Sequence, residues 1–459
     1  MLKTALIAFS IFGLTATLAG GCTSSDDDDS TSSGGRTASG GGSSTRGGAA
    51  NGGSSTRGGT SNASGGEGGN AGEGGNAGES GNAGEGGSAG ERADLPVVLG
   101  GPAAGKRDSK LEAVAVFPGP AQPVGIAISK KGRVFLSFPR WEDPVPYTVV
   151  EWKSGAMAPF PDAKTTVFDP ANPASTDPAT HFVSAQAIVF DELDRLWILD
   201  PGSVNFSAVL NGAPKLWGYD IDTGKLVAAI SFPNDVAMKR SALNDVRFDL
   251  KRGPGGTAYI TDSGAGGIVV VDLASGLSWR HLDEHPSVLP TPGLTAMTEG
   301  RPFIQHKRSG EMAAPDFRSD GIALSPDGAT LYYTAVMSHE IYSVPTALLA
   351  DPTTDEQVLG AAVKMVAQKP SGNDGIICDA LGRIYTTDVE DNSIRRVDTA
   401  TGDVTVVARD ERLIWPDTLA FGNGDLYVTV NQLPRQPSYR GGKDERQPPY
   451  ALFRLALTD

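Results

Sequence analysis

The sequence predicts an all-β protein whose folded part is a six-bladed β-propeller with four-stranded blades. One unit recurs six times, at spacings of roughly 40 to 75 residues, which is the signature of a repeat architecture. Each copy begins with a polar or small residue. An apolar strand follows, then a turn containing Gly or Asp, and then a second apolar or aromatic strand. Short alternating strands joined by such turns are typical of antiparallel hairpins. Six hairpins, each extended by further strands, predict a propeller.

The six copies are clearest in their first two strands. A third strand-like segment follows each pair, and a fourth follows the first five pairs. In chain order the pairs are "VGIAISKKGRVFLSF" from Val124, "QAIVFDELDRLWILD" from Gln186, "NDVRFDLKRGPGGTAYITD" from Asn244, "DGIALSPDGATLYYT" from Asp320, "DGIICDALGRIYTTD" from Asp374 and "DTLAFGNGDLYVTV" from Asp417.

The sixth copy has no fourth strand of its own. An additional strand, "LEAVAVF" (Leu111 to Phe117), precedes the first copy. Pairing this strand with the third strand of the last blade closes the ring and leaves no long exposed sheet edge. A linear β array or a sandwich is the alternative, but neither accounts for this surplus strand.

The N-terminal part of the sequence has a different character. Lys3, an apolar stretch and small residues before Cys22 form the pattern of a bacterial lipoprotein signal, with an ordinary signal peptide as the alternative. The Gly-, Ser- and Asp-rich stretch that follows carries "GGNAGE" repeats and has almost nothing to bury. We therefore expect a signal peptide (1–21), a disordered tether (22–94) and a propeller (95–459). The protein would be exported and lipid-anchored to a bacterial membrane through Cys22, or otherwise secreted.

Charge and cysteine content narrow the possible partners. The net charge of −15 argues against nucleic acid and against electrostatic binding to an anionic bilayer, so we expect membrane contact only through the lipid. The two cysteines, Cys22 and Cys378, predict no disulfide framework. Cys378 lies in the apolar segment "GIICD" and is interpreted as a small buried hydrophobic residue. A small-molecule ligand is the expected partner, and the oligomeric state is left open.

Carboxylates recur at one position of the repeat. The first strand of each propeller blade lines the central channel, so the residues just before it converge on one channel mouth: Val124, Gln186, Asn244, Asp320, Asp374 and Asp417. Carboxylates gathered in a partly desolvated channel repel one another, and they either take up protons or hold a cation. Carboxylate and amide oxygens suit Ca²⁺ or another divalent cation, and an organic cation meets the same electrostatic need. Alternatively, channel water screens the charges and nothing binds.

The candidate site follows from this convergence. Trp415 and His181 lie close in sequence to two of these axial positions. No G-x-S-x-G or H-E-x-x-H motif is present in the propeller part of the sequence (95–459), so no catalytic residue is predicted. Asp262 and Asp388, at the ends of second strands, are interpreted as turn formers. The predicted ligand-binding residues are Gln186, Asn244, Asp320, Asp374, Asp417, Trp415 and His181, and the candidate metal ligands among them are Asn244, Asp320 and Asp374.

Longer segments of the chain resemble the major royal jelly protein/Yellow family. These segments are "SFPRWEDPVPYTVVEW", "RLWILDPG", "SDGIALSPDGATLYYTAVMSHEIYSVPTALLAD" and "WPDTLAFGNGDLYVTVNQL". The resemblance covers roughly Leu111 to Leu457 and implies a secreted six-bladed propeller, here a bacterial, lipoprotein-like member. Some members bind biogenic amines at the propeller centre, and some insect members are credited with dopachrome conversion. The cysteines that secreted insect members commonly pair are missing, which puts insect-specific roles in doubt.

A weaker similarity connects the chain with gluconolactonase/paraoxonase-like propellers. In those proteins the residue before a comparable inner strand is a metal ligand, which would correspond to Asn244, Asp320 and Asp374. Three functions therefore remain open. The first is binding of a small cationic or aromatic ligand in the axial pocket. The second is a metal-dependent hydrolase or isomerase, lactonase-like or dopachrome-conversion-like, with His181 moving a proton. The third is a cell-surface interaction scaffold using the loop from His285 to Arg318.

Overall fold

The computed structural model describes residues 94–141, 143–307 and 309–457, and this part of the chain is mostly β-structure. The predicted signal peptide, Cys22 and nearly all of the predicted tether lie outside the described residues. Within them, six four-stranded antiparallel sheets are present, five of them built from four consecutive strands, and the six-bladed propeller is confirmed. None of the helices in the described ranges is long and apolar enough to cross a membrane.

The first half of the propeller contains one closing strand, β1, and three complete blades. Blade 1 is β2–β5, blade 2 is β6–β9 and blade 3 is β10–β13. The elements are β1 (Leu111–Phe117), β2 (Ile126–Ile128), β3 (Val134–Ser137), β4 (Val149–Lys153), β5 (Ala156–Pro159), α1 (Ala163–Thr166), β6 (Ile188–Phe190), β7 (Arg195–Asp200), β8 (Lys215–Asp220), β9 (Lys225–Ser231), β10 (Leu243–Asp249), β11 (Thr257–Asp262), β12 (Ile268–Asp272) and β13 (Ser278–His281).

The second half begins with two small hairpins, β14–β15 and β16–β17, between blades 3 and 4. Blade 4 is β18–β21, blade 5 is β22–β25, and blade 6 uses β26–β28. The elements are β14 (Met297–Thr298), β15 (Arg301–Pro302), β16 (Gln305–His306), β17 (Met312–Ala313), β18 (Ser319–Leu324), β19 (Thr330–Ala335), β20 (Glu340–Pro345), α2 (Thr346–Leu349), α3 (Glu356–Ala362), β21 (Lys364–Gln368), β22 (Asn373–Cys378), β23 (Ile384–Asp388), β24 (Ser393–Val397), β25 (Val404–Arg409), β26 (Trp415–Gly422), β27 (Asp425–Asn431) and β28 (Tyr450–Leu455).

The N-terminal strand closes the ring, as the sequence predicts. The strand order of the last sheet is β1-β28-β27-β26, and β1 pairs antiparallel with β28 from Leu111–Leu455 to Phe117–Tyr450. The outer edge of blade 6 is thereby supplied by a segment more than three hundred residues away in sequence. This pairing removes the exposed edge that the sixth blade would otherwise present.

A β-bulge interrupts the first strand of blades 3 to 6 at the axial position. In blade 5, Asn373 pairs with Asp388, but the next pair is Ile376 with Thr386, so one surplus residue is accommodated around Asp374. The same register shift occurs in β10, β18 and β26. Bulges re-aim side chains and are common beside functional sites. Here they occur at each of the four polar axial residues of these blades.

Hydroxyl groups connect three of the axial residues to the neighbouring blade. Thr261 Oγ1 donates to the carbonyl oxygen of Asp320 at 2.5 Å, and Thr387 Oγ1 donates to that of Asp417 at 3.1 Å. Ser137 Oγ makes the same contact with the Gln186 carbonyl at 2.6 Å. The second strand of one blade therefore fixes the axial residue of the next, which makes the channel lining rigid.

The recurring Asp-Gly pairs have a steric cause. A Cβ on Gly321 would lie 2.5 Å from the carbonyl oxygen of Asp374, and a Cβ on Gly375 would lie 2.5 Å from that of Asp417. Real Cβ atoms do not approach an oxygen so closely, so the neighbouring blade can take its place only beside glycine. The glycine serves blade packing, and the preceding aspartate is left free to line the channel.

An acidic axial pocket with an aromatic wall

A cavity of about 170 Å³ lies at one mouth of the central channel. Six of the seven predicted ligand-binding residues line it: Gln186, Asn244, Asp320, Asp374, Trp415 and Asp417. His181 is not among the lining residues. Its Nδ1 lies 3.0 Å from Thr180 Oγ1 and 3.1 Å from the carbonyl oxygen of Asp177, within its own loop. The axial convergence predicted from the repeat is thus present, and the sequence proximity of His181 to Gln186 does not place it there.

Three carboxyl groups form the floor of this pocket, and we call Asp320, Asp374 and Asp417 the acidic trio. Asp374 is central, because its carboxyl group is within hydrogen-bonding reach of those of both Asp320 and Asp417. Trp415 Nε1 donates to Asp374 Oδ2 at 2.6 Å. Asp417 accepts hydrogen bonds from Asn431 Nδ2 at 2.7 Å and from its neighbour Thr418. Direct carboxyl-to-carboxyl contacts require shared protons.

The pKa values of the three carboxyl groups of the trio are raised to different extents. Burial raises the pKa of Asp320 and of Asp417 well above the usual range of aspartate, and the charge of Asp374 raises both further. Burial also raises the pKa of Asp374, to about 6, while hydrogen bonds from Trp415 and Asp320 oppose that rise. The pKa of Asp374 is therefore the lowest of the three, and Asp374 is the member that ionises first as the pH rises. With Asp374 ionised and the other two protonated, the trio carries one negative charge.

No basic side chain of the described ranges pairs with this charge, and Arg240, which lines the same pocket, pairs with Glu284 at 2.6 Å. In the ranges that the structure describes, no Lys, Arg or His forms an ion pair with a member of the trio. The next carboxyl group along the channel, Asp245, is different, because it pairs with Arg247 at 2.8 Å. Burial raises the pKa of Asp245 as well, and its charge raises the pKa of all three members of the trio. The pocket floor is an uncompensated anionic site.

Aromatic side chains form the wall above the floor, and we call Trp141, Phe206, Phe317 and Trp415 the aromatic wall. All four line the pocket. Trp141 and Phe206 stack with centroids 5.1 Å apart and an interplanar angle of 28°. Phe317 lies 6.3 Å from Phe206, and Phe303 packs behind Trp415 at 5.2 Å. Ring faces beside a carboxylate suit a cation, an aromatic ring or both.

Sequence reasoning identified only Trp415 of this wall. Trp141 lies in the "FPRW" segment that carries the family resemblance, and that segment was the available signal. Phe206 and Phe317 come from loops outside the repeated hairpins, so no repeat position marks them. Asp245 was also missed, although it directly follows the axial Asn244.

The carboxylates at the second-strand ends serve the loops. Asp262 Oδ1 accepts hydrogen bonds from the backbone N–H groups of Ala242 and Ala265 at 2.8 and 2.9 Å, which confirms its predicted turn-forming role. Asp388 differs, since it accepts from Thr386 Oγ1 at 2.7 Å and pairs with Arg395 at 2.5 Å, both on strands of its own blade. These carboxylates hold backbone and basic side chains, and they do not line the axial pocket.

Within the described residues, no group of three or more His, Cys, Asp or Glu side chains is arranged to hold a metal ion. Asn244 carries an amide and does not belong to these residue types, and the predicted metal ligands Asn244, Asp320 and Asp374 stay a prediction. Cys378 is partly buried and free, and burial raises the pKa of its thiol to about 12, in keeping with an unreactive side chain.

Comparison with known proteins gives a family match over more than half of the chain. The family model described as "Major royal jelly protein" matches residues 183–454. Protein yellow of Drosophila melanogaster is 26% identical over 262 residues, covering 54% of this chain and 46% of the fly protein. Protein yellow of Drosophila erecta is 27% identical over 267 residues, covering 56% and 47%. The match thus spans about half the length of these curated relatives.

Solved structures with similar architecture have low sequence identity. A gluconolactonase from Xanthomonas campestris aligns with a TM-score of 0.47 and 15% identity, over 81% of this chain and 98% of its own. Virginiamycin B lyase from Staphylococcus aureus aligns with a TM-score of 0.41 and 14% identity, over 76% and 99%.

Proposed function

The chain belongs to the major royal jelly protein family, and we propose that its axial pocket binds a small organic monocation that carries an aromatic ring. The observation that carries this proposal is the acidic trio, a buried anionic floor for which the described chain provides no basic partner. A ligand ammonium group would supply the missing positive charge. The aromatic wall would contact the rest of the ligand.

Charge balance favours a monocation over a divalent metal. With Asp320 and Asp417 protonated, the floor presents a single negative charge on Asp374, which one ammonium group neutralises. A divalent ion would have to displace protons from Asp320 and Asp417, whose pKa values burial raises well above the usual range. An ammonium group can donate to Asp374 while the other two carboxyls keep their protons.

The aromatic wall supports the second half of the proposal. A cation within about 6 Å of a ring face is attracted by the ring's quadrupole, and the attraction strengthens when water is excluded. Trp141, Phe206 and Phe317 contact one another around the same cavity whose floor holds Asp374. A planar ring on the ligand would add stacking to these contacts.

The test is calorimetric titration of 2-phenylethylamine into the wild-type protein and Asp374→Asn. Loss of one charge-assisted hydrogen bond costs about 1.5–3 kcal/mol, so we expect an affinity roughly 10- to 100-fold weaker in the variant. Asp327→Asn is the matched control, because it makes the same charge change in the exposed turn between β18 and β19. Equal affinities in wild type and Asp374→Asn would refute the proposal.

We also propose that the propeller is displayed outside the cytoplasm on a lipid anchor at Cys22. The support is the signal-like N-terminal sequence and the Gly-rich repeats that follow it. We expect the wild-type protein in the membrane fraction and Cys22→Ala in the soluble fraction of the producing cells. Equal partition of both proteins between the two fractions would refute the proposed lipid anchor at Cys22.

A further inference from the structure

The turn at Asn205 and Phe206 is unusual among the turns of this protein. Both residues have positive φ angles, 52° and 51°, and the N–H of Ser207 donates to the carbonyl oxygen of Val204 at 2.9 Å. Two successive left-handed residues inside a four-residue turn are the pattern of type I′, in which glycine is the usual second central residue. Here a phenylalanine holds that position.

The same conformation elsewhere in the described residues always has glycine in the second place. Five other pairs of neighbouring residues have positive φ angles: Ser154-Gly155, Gly266-Gly267, Glu299-Gly300, Asn423-Gly424 and Gly441-Gly442. A Cβ in this region crowds the following carbonyl group, which is why glycine is preferred. The chain therefore accepts backbone strain at Phe206 that it avoids in every comparable turn of the described ranges.

The ring of Phe206 lies where such strain has a use. It lines the axial pocket and yet is 47% exposed, so it lies at the rim between the cavity and solvent. It stacks on Trp141, which is only 8% exposed. The base of that stack is rigid, because the buried guanidinium of Arg140 donates to the carbonyl oxygens of Val183 and Thr166 at 2.8 Å.

The turn is held to this base at one point. The N–H of Asn205 donates to the carbonyl oxygen of Arg140 at 2.9 Å. The Phe206 ring is thus attached by this backbone hydrogen bond, by its stack on Trp141 and by a tilted contact with Phe317 at 6.3 Å, whereas Trp141 and Trp415 are buried. Among the four rings of the aromatic wall, Phe206 is the most exposed, and it lies outside the blade strands.

We propose that Phe206 is the gate residue of the axial pocket, a strained aromatic side chain that covers the mouth and controls how fast a ligand enters and leaves. This inference rests on the proposed function, because it presupposes a ligand in the pocket. Strained backbone persists only when the surrounding structure holds it, and it concentrates at ligand clamps and switch regions. The gate also adds selectivity, because the Phe206 ring can stack on the ring of an aromatic ligand, whereas it makes only steric contact with an aliphatic ligand.

Stopped-flow measurements with two amines of matched shape test the gate. The probes are 2-phenylethylamine and 2-cyclohexylethylamine, which carry the same ammonium group on an aromatic or a saturated ring. For Phe206→Gly, we expect the dissociation rate of 2-phenylethylamine to rise about tenfold, with a faster association rate and a smaller effect on the cyclohexyl amine. Phe206→Leu keeps the bulk, so association should stay slow while the preference for the aromatic ring is lost.

Folding controls accompany the kinetics. Glycine relieves the strain at residue 206, so the Tm of Phe206→Gly should equal or exceed that of the wild type. Ser154→Gly relieves a comparable left-handed residue in the β4–β5 hairpin, and it should leave both amine rates unchanged. Wild-type binding with unchanged rates in Phe206→Gly would overturn the gate alone. Failure of both amines to bind the wild type would overturn the proposed function and the gate with it.

Discussion

Two sets of buried aspartates in this propeller are treated in opposite ways. At the ends of the second strands, Asp200 pairs with Lys215 at 3.0 Å and Asp262 pairs with Arg280 at 2.9 Å. Both partners of the first pair are fully buried. Each carboxylate also accepts backbone N–H groups of the loop that precedes its blade. The fold thus supplies a cation and donors wherever a buried carboxylate has a structural task.

The acidic trio receives no such compensation. Its members accept hydrogen bonds from Trp415, Asn431 and Thr418, which carry no charge, and the carboxyl groups of Asp320 and Asp417 lie within hydrogen-bonding reach of Asp374. A fold that can place Lys215 beside Asp200 can also place a base beside Asp374. This difference between the two sets of aspartates supports the proposal that a ligand supplies the cation of the trio.

The largest expected effect comes from removing a cation of the compensated set. Lys215→Met leaves the Asp200 carboxylate buried without its partner, and breaking a buried pair in this way costs about 3–5 kcal/mol of unfolding free energy. Urea unfolding followed by circular dichroism measures the loss. Lys131→Met, at an exposed pair with Asp222, is the control and should leave the midpoint nearly unchanged. A Lys215→Met variant as stable as the wild type would contradict the difference drawn between the two sets of aspartates.

For the acidic trio we expect the opposite effect, a gain in the free energy of unfolding when a charge is removed. Asp374→Asn removes a buried charge that has no basic partner, while its amide oxygen can still accept from Trp415. We expect the free energy of unfolding at pH 7 to rise by roughly 1–3 kcal/mol. Asp262→Asn, which removes the buried carboxylate partner of Arg280, should lower it. Equal destabilisation by both variants would show that Asp374 is compensated after all.

The pH dependence of the free energy of unfolding tests the same difference between the two sets of aspartates. The folded-state pKa of Asp374 is raised to about 6, so its contribution to stability is fully present below about pH 4 and is lost as the pH rises through about 6. Burial also raises the pKa of Asp388 to about 6, so the difference between wild type and Asp374→Asn is the informative quantity. The advantage of the variant should grow by up to about 1.4 kcal/mol per unit between pH 4 and 6. A difference that does not vary with pH would contradict the raised pKa.

The smallest expected effect is that of a chelator. If the trio takes a monocation, then EDTA should leave the Tm of protein purified without added metal unchanged. Elemental analysis of the same sample is the companion measurement. A near-stoichiometric divalent ion whose removal lowers the Tm would instead favour Asn244, Asp320 and Asp374 as ligands and a metal-dependent hydrolase or isomerase.

The sequence predicts what the repeat dictates. In a propeller, equivalent positions of successive blades meet at the axis, so aligning the hairpins was enough to bring Asp320, Asp374 and Asp417 together. The closing strand Leu111–Phe117 followed from the same count. The contacts among the three carboxyl groups did not follow, because the repeat pattern does not show the bulges that occur at these positions.

Positions outside the repeat were not predictable. Phe206 and Phe317 lie in loops whose paths are fixed by tertiary contacts, so their convergence on the pocket has no sequence period. His181 is five residues from Gln186, but the Asp200 carboxylate holds the intervening N–H groups of Val183 and Ser184 at 2.6 and 3.1 Å. That anchoring separates the histidine's loop from the axial strand, which distance along the chain does not show.

A crystal structure of the protein purified without chelator and soaked with 2-phenylethylamine tests the central claim most directly. We expect the ammonium nitrogen about 3 Å from a carboxylate oxygen of Asp374, with the phenyl ring against the aromatic wall. A divalent metal among the three carboxyls, or the amine bound elsewhere while the trio contacts only water, would contradict it.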